Sequence, residues 1–199
     1  MRVIAGTYRS RQLTAPRGTE TRPTSDRLRE TLFNILAPRI PECRFADLYA
    51  GTGAVGIEAI SRGAAHVWFA EKSEPALAAI RSNLKTLKIT QGFTFEERGT
   101  GALLERLAKN AQKAEAASRA PDLLDLIYLD PPWESEPEYT TTLHLLGSAR
   151  GRHILAADAL IIAEHNSKSQ LLPRYGELHQ TRTLKQGDAA LSFYTLSTP

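Results

Sequence analysis

Two clusters in this sequence combine residue types that could do chemistry. The first is Asp130-Pro131-Pro132-Trp133, which follows the apolar run 123–129. A carboxylate, two rings that fix φ and an aromatic plane in succession suit the holding of a planar amine. Asp130 and the Pro131 carbonyl can both accept from one exocyclic NH2 group and turn its lone pair toward an incoming carbon. Trp133 offers a face for a base taken out of its stack, and Pro132 keeps the turn rigid. The second cluster is the glycine loop Gly51-x-Gly53-x-x-Gly56, with Asp47 before it and Glu71 twenty residues after Gly51. Backbone N–H groups of such a loop face a ligand at a helix N-terminus. The spacing alone would also serve a dinucleotide, with Glu71 on a ribose. Asp47 opposes that reading, because its charge would repel a pyrophosphate and suits an ammonium or a sulfonium instead. Hydride transfer has no use for the proline turn, whereas methyl transfer to an amine does. S-adenosylmethionine is therefore the expected cofactor, with Asp47, Gly51 and Gly53 at its methionine part and Glu71 on both ribose hydroxyls.

These residues need elements to position them. From residue 45 the chain alternates short apolar runs with helical spacing. Strands are predicted at 45–49, 67–70, 93–95, 124–129 and 159–163, with a closing hairpin of 177–184 and 189–196 turning at Gln186-Gly187-Asp188. Helices are predicted from the glycine loop to residue 62, from 73, from 100 with an exposed extension to 120, and over 139–147. The expectation is an α/β fold with a doubly wound, mostly parallel seven-stranded sheet. Asp47, Glu71 and Asp130 all fall at strand carboxyl ends, where ligands bind in such sheets. Before it, residues 2–14 read as a β-hairpin turning near Gly6-Thr7, and Thr24 or Ser25 caps a helix whose apolar face is Leu28, Leu32, Ile35 and Leu36.

Composition narrows the function classes. The 199 residues suffice for one domain, 42% of them are hydrophobic, and no aliphatic run is long enough to span a bilayer. The N-terminus lacks the apolar segment of a secretory signal, so a cytoplasmic protein is expected. Cys43, the single cysteine, excludes an internal disulfide and reads as an inert residue before the first strand. The five histidines are scattered, so no metal site is expected, and His165 reads as a satisfied surface histidine. Net charge is only +3, yet residues 1–30 hold seven arginines against Glu20, Asp26 and Glu30. Tyr8 among Arg2, Arg9, Arg11 and Arg22 makes a surface suited to stacking bases and neutralising phosphates.

At these residues the chain resembles the RsmD family, the bacterial 16S rRNA guanine-N2 methyltransferases. The segment Arg22-Pro-Thr-Ser-Asp-Arg-Leu-Arg-Glu-Thr-Leu-Phe-Asn-Ile-Leu36 is similar to that family's signature, Asp47 to Ala64 to its cofactor loop, and Asp130-Pro-Pro to its catalytic turn. The resemblance covers essentially the whole chain. It implies a Rossmann-like class I methyltransferase domain over 22–199, behind an RNA-gripping hairpin extension over 1–21. It also implies a substrate guanine in 16S rRNA of the small ribosomal subunit or its assembly intermediate. The expected cofactor contacts are Thr24, Asp47, Tyr49, Ala50, Gly51, Gly53, Glu71, Lys72, Thr100 and Asp130, and a monomer is expected. Three departures stand out: Trp133 replaces the usual Phe or Tyr, Arg98-Gly99-Thr100 stands where an Asp or Asn would meet the adenine, and 108–120 is longer than typical. A DNA amino-methyltransferase, a nicotinamide-dependent oxidoreductase and a catalytically silent RNA-binding assembly factor are the competing readings.

Overall fold

A computed structural model describes residues 1–15 and 24–197, which form two compact units, Met1–Gly99 and Thr100–Pro199. The expected domain boundary at 21/22, and Arg22 with it, lies outside the described residues.

The first unit opens with helix α1, Asp26–Leu36. Ser25 is its cap, accepting the Leu28 N–H at 3.1 Å, and Asp26 lies at the positive end of the helix dipole. The buried face is Leu28, Arg29, Leu32, Phe33 and Leu36, so Ile35 is displaced from the expected stripe by Phe33 and by an arginine. Phe33 stacks on Phe45 in the core, which decides the helix's rotation. Strands β1 (Arg44–Leu48), β2 (His66–Ala70) and β3 (Phe93–Glu96) run parallel, with β2 in the middle. Helices α2 (Ala54–Ser61) and α3 (Glu74–Leu87) connect them. Phe69, Phe93 and Phe95 pack together, with centroid separations from 5.5 to 6.5 Å. Gly56 lets α2 lie against β2: a Cβ there would meet Phe69 Cε1 at 2.3 Å.

Residues 2–14 are not a regular hairpin. One antiparallel bridge, Arg2 to Gln12, joins the arms, and turns fill the space between them. Helix α2 takes the backbone groups that a ladder would have used. Ile4 and Ala5 donate their N–H groups to the Glu58 carboxylate at 2.7 and 2.9 Å, and Thr7 donates to the Ser61 carbonyl at 2.8 Å. Gly6 is required there, because a Cβ would lie 1.9 Å from the Ser61 carbonyl oxygen. Glu58 also accepts from Arg62 Nε at 2.7 Å and lies 3.9 Å from Arg29 Nε, and both Glu58 and Arg29 are fully buried. The Arg29 guanidinium in turn donates to the Arg2 carbonyl and to Asp26. Asn83, buried on α3, accepts from the Thr14 N–H and hydroxyl and donates to the carbonyls of Thr14 and Thr52.

The second unit carries five strands, giving eight among the described residues rather than the expected seven. Strand β4 (Leu124–Leu129) pairs parallel with β5 (Leu155–Asn166), and β5, β8 (Ala189–Leu196) and β7 (Leu178–Gln186) follow antiparallel. The added strand is β6, Arg174–Tyr175, two residues on the margin of β7. Strand β5 is longer than its apolar run because β4 and β8 flank it on both sides. It therefore encloses His165, which is buried, not exposed: its Nε2 lies 2.8 Å from the Ser192 hydroxyl. Helix α4 (Thr100–Ala116) ends short of residue 120, where Ser118 turns left-handed at φ 54°. Helix α5 (Glu136–Leu146) begins earlier than expected because Pro137 is tolerated in a first turn, and the four-residue α6 (Ala149–Arg152) was not foreseen. No described helix is long and apolar enough to cross a membrane.

Two substitutions test this packing by urea unfolding. Glu58→Ala should cost about 3–5 kcal/mol, because it removes a buried counter-charge of Arg29 and the acceptor of the Ile4 and Ala5 N–H groups. Gly56→Ala should cost about 1–3 kcal/mol, because neither Phe69 nor Val67 has room to yield.

Candidate active site

In the first unit, Asp47 sits near the end of β1 and is 1% exposed. Its Oδ2 accepts the Gly56 N–H at 2.8 Å, inside the first turn of α2, where the helix dipole favours negative charge. Burial outweighs that help. It pushes the Asp47 carboxyl from 3.8 up to about 8, and the negative Glu71 adds to the rise. No ion pair joins a basic side chain to Asp47 or Glu71 among the described residues. A cationic ligand would relieve this arrangement, and a pyrophosphate would worsen it.

The loop after β1 has three left-handed positions, Tyr49 (φ 64°), Gly51 (φ 53°) and Gly53 (φ 73°). A tyrosine in that region is uncommon and costs energy. The loop closes through Gly53 N–H to the Ala50 carbonyl at 2.7 Å, while Ala50 N–H reaches the Ala70 carbonyl at 3.0 Å. The glycines differ in purpose. A Cβ on Gly51 would meet nothing within 4 Å, so the space beside it is open, whereas one on Gly53 would press on Ile80 at 3.0 Å.

Glu71 follows β2, and its carboxylate accepts three backbone N–H groups. Its Oε2 accepts the Gly51 N–H at 2.8 Å, and its Oε1 accepts the N–H groups of Lys72 and Ser73, both at 2.8 Å. It therefore caps α3, which the Ser73 side chain does not. Each carboxylate oxygen has two lone pairs, so Oε2 keeps capacity for a hydroxyl donor. Lys72 is exposed and Thr24 is buried. In the second unit Thr100 is buried, and its hydroxyl oxygen has no hydrogen-bond partner among the described residues. An unsatisfied hydroxyl beside the left-handed Gly99 (φ 88°) is the kind of group a bound polar molecule completes. The residues of the first unit fit a ligand with a cationic amino-acid end and a ribose.

The second unit holds Asp130-Pro131-Pro132-Trp133 directly after β4. Asp130 and Trp133 are half-buried, Pro131 is buried and Pro132 exposed. The Pro132 carbonyl accepts the Ser135 N–H at 2.8 Å, which leads the chain into α5. The Pro131 carbonyl lies 3.1 Å from the Tyr139 hydroxyl, which also lies 3.0 Å from the Glu164 carbonyl. The Glu164 carboxylate, buried at the end of β5, accepts from the Tyr128 hydroxyl. This group behind the turn escapes a reading of motifs. Its signal was Tyr128 inside the apolar run before Asp130 and Glu164 directly after the apolar run 159–163.

Of the basic residues at the N-terminus, Arg2, Arg9 and Arg11 are exposed and Tyr8 is half-buried on the bridged segment held by α2.

Asp47 should give stability a recognisable pH dependence. Between about pH 4 and 8 the folded protein keeps a proton that the unfolded chain has released, so this group's stabilising contribution falls as pH rises through that window. Asp47→Asn keeps an acceptor for Gly56 and should flatten the dependence, as read from urea midpoints at several pH values.

Residues 1–195 match the family model described as conserved hypothetical protein 95. The protein YlbH of Bacillus subtilis (strain 168) is 36% identical over 194 residues, covering 98% of both chains. Ribosomal RNA small subunit methyltransferase D of Escherichia coli (strain K12) is 33% identical over 188 residues, covering 94% of this chain and 86% of that one. The solved structure of yhhF from Escherichia coli superposes with a TM-score of 0.77 at 30% identity, covering 98% of this chain and 97% of that chain. The likeness extends through the N-terminal segment, the glycine loop and the proline turn alike, and the chain belongs to the RsmD family.

Proposed function

We propose that this protein transfers a methyl group from S-adenosylmethionine to the exocyclic N2 of a guanine in 16S rRNA. The observation that carries the donor is Asp47, an enclosed carboxyl held near neutrality by burial and lacking an ion-pair partner among the described residues. A ligand with positive charge converts that cost into attraction. Asp47 and the open space beside Gly51 would hold the methionine end, Oε2 of Glu71 a ribose hydroxyl, and the Thr100 hydroxyl the adenine end. Tyr49, Ala50, Gly53, Thr24 and Lys72 complete the candidate contacts. When bound, the donor supplies a methyl carbon on a positively charged sulfur.

The remaining work belongs to the proline turn. Asp130 and the Pro131 carbonyl accept the two N–H bonds of the guanine amine, which turns the nitrogen lone pair toward the methyl carbon. The new N–C bond would be made from the amine lone pair, with the C–S electron pair left on the donor's sulfur. Positive charge grows on nitrogen, where two acceptors stabilise it, and Asp130 takes the proton that the nitrogen must lose. Trp133 stacks on the base, which is unpaired or turned out of its helix. Arg2, Tyr8, Arg9, Arg11 and Arg22 grip phosphates and bases nearby in the RNA, and the family likeness to a small subunit methyltransferase supports 16S rRNA as the partner.

The test is transfer of labelled methyl from S-adenosylmethionine to unmodified small subunits, naked 16S rRNA and duplex DNA. Label should appear as N2-methylguanine in rRNA and fall by roughly a hundredfold or more with Asp130→Ala. Label confined to DNA would replace this reading with DNA methylation. Absence of transfer despite donor binding would replace it with a silent RNA-binding factor. A second measurement addresses Asp47. Donor affinity should rise with pH to about 8 and then level, because binding displaces the Asp47 proton, and Asp47→Asn should abolish that rise in calorimetric titrations.

A further inference from the structure

We infer that Tyr139 is a positioning residue for methyl transfer, setting the direction and acceptor strength of the Pro131 carbonyl. This rests on the function proposed above, in which that carbonyl receives the target amine.

Tyr139 is 3% exposed, in the first turns of α5, and its ring is fixed by burial. Its hydroxyl lies between two backbone carbonyls, 3.1 Å from Pro131 and 3.0 Å from Glu164. The first belongs to the turn after β4 and the second to β5, and these strands pair in parallel with Leu129 beside Ala163. One hydroxyl proton serves one acceptor fully at a time, so the two carbonyls compete for it.

That competition has a chemical use. With the proton on Pro131, the carbonyl is held in one orientation and one of its lone pairs is occupied. As the amine gains positive charge, its N–H becomes the stronger donor, and the Tyr139 proton can turn to Glu164 without leaving a buried group unsatisfied. Pro131 then gives its full acceptor capacity to the reacting nitrogen. The amide after Pro131 belongs to Pro132 and has no N–H, so neighbouring backbone offers no similar adjustment. Tyr194 provides an internal comparison. Its phenol is equally buried but donates to the Leu172 carbonyl at 2.9 Å and has no part in the turn network.

The experiment compares Tyr139→Phe, Tyr194→Phe and Asp130→Ala with the wild-type chain in steady-state methyl transfer, donor titration and thermal unfolding. Tyr139→Phe should lower kcat roughly ten- to a hundredfold with KM for donor and affinity for RNA unchanged. Tyr194→Phe should lower the melting temperature and leave kcat unchanged. The inference is overturned if Tyr139→Phe keeps wild-type kcat, if it acts through donor KM, or if both tyrosine variants lose kcat in proportion to stability. Failure of the underlying reading looks different. If Asp130→Ala retains full activity, the turn does not hold the amine and both conclusions fall. If the methylated acceptor is another amine, only the substrate changes, and the kcat effect of Tyr139→Phe is read on that acceptor.

Discussion

Enclosing a carboxylate away from water is strongly unfavourable unless hydrogen bonds or a counter-charge compensate it, and the two most deeply enclosed in the first unit are treated differently. Glu58 is answered completely: two N–H groups from residues 4 and 5, the Arg62 side chain at 2.7 Å, and Arg29 at 3.9 Å. Asp47 is answered by a single N–H, from Gly56. Both lie on or against α2, so one short helix serves a structural carboxylate on one side and an undercompensated one on the other. The first ties down the N-terminal segment. The second leaves a site whose chemistry favours a cation.

The glycine loop shows the same division of labour. Gly56 faces Phe69, which leaves no space for a Cβ, and Gly53 faces Ile80, which leaves little, so both serve packing against side chains. Gly51 faces open space and binds its N–H to Glu71, the residue that also caps α3. The loop is thus held by the same carboxylate that the proposed reaction offers to a ribose. Asn83 adds a further tie, joining Thr14 to the Thr52 carbonyl of this loop with every donor and acceptor of its amide in use. Movement of the segment around Thr14 and movement of the loop therefore share one side chain.

In the second unit a parallel pair of strands ends in groups that need each other. The Pro131 and Glu164 carbonyls share Tyr139, and the Glu164 carboxylate takes Tyr128. A buried network of this kind is stable only when all its members are satisfied, which makes the turn after β4 a rigid feature. Rigidity is what an amine-orienting site demands, since small displacements are expensive in methyl transfer geometry.

Much of this was legible in the residues. The alternation of apolar runs with helical spacing identified the α/β class and the order of the main elements, and placed Asp47, Glu71 and Asp130 at or beside strand ends, where the structure has them. These are local signals, set by periodicity and by what glycine and proline backbones permit. Tertiary structure alone decided the rest. Regular hairpin pairing over 2–14 gave way because Glu58 and Ser61, more than fifty residues away, compete successfully for the same N–H groups. Ile35 yielded to Phe33 and Arg29 because a distant phenylalanine and glutamate were waiting for them. His165 went inside because β8 brought Ser192 to its ring. Tyr139 met Pro131 and Glu164 only because two strands lie side by side. A sequence states which groups need partners, but only the folded chain determines which partners reach them, because burial and hydrogen bonding are settled across distances that local pattern does not encode.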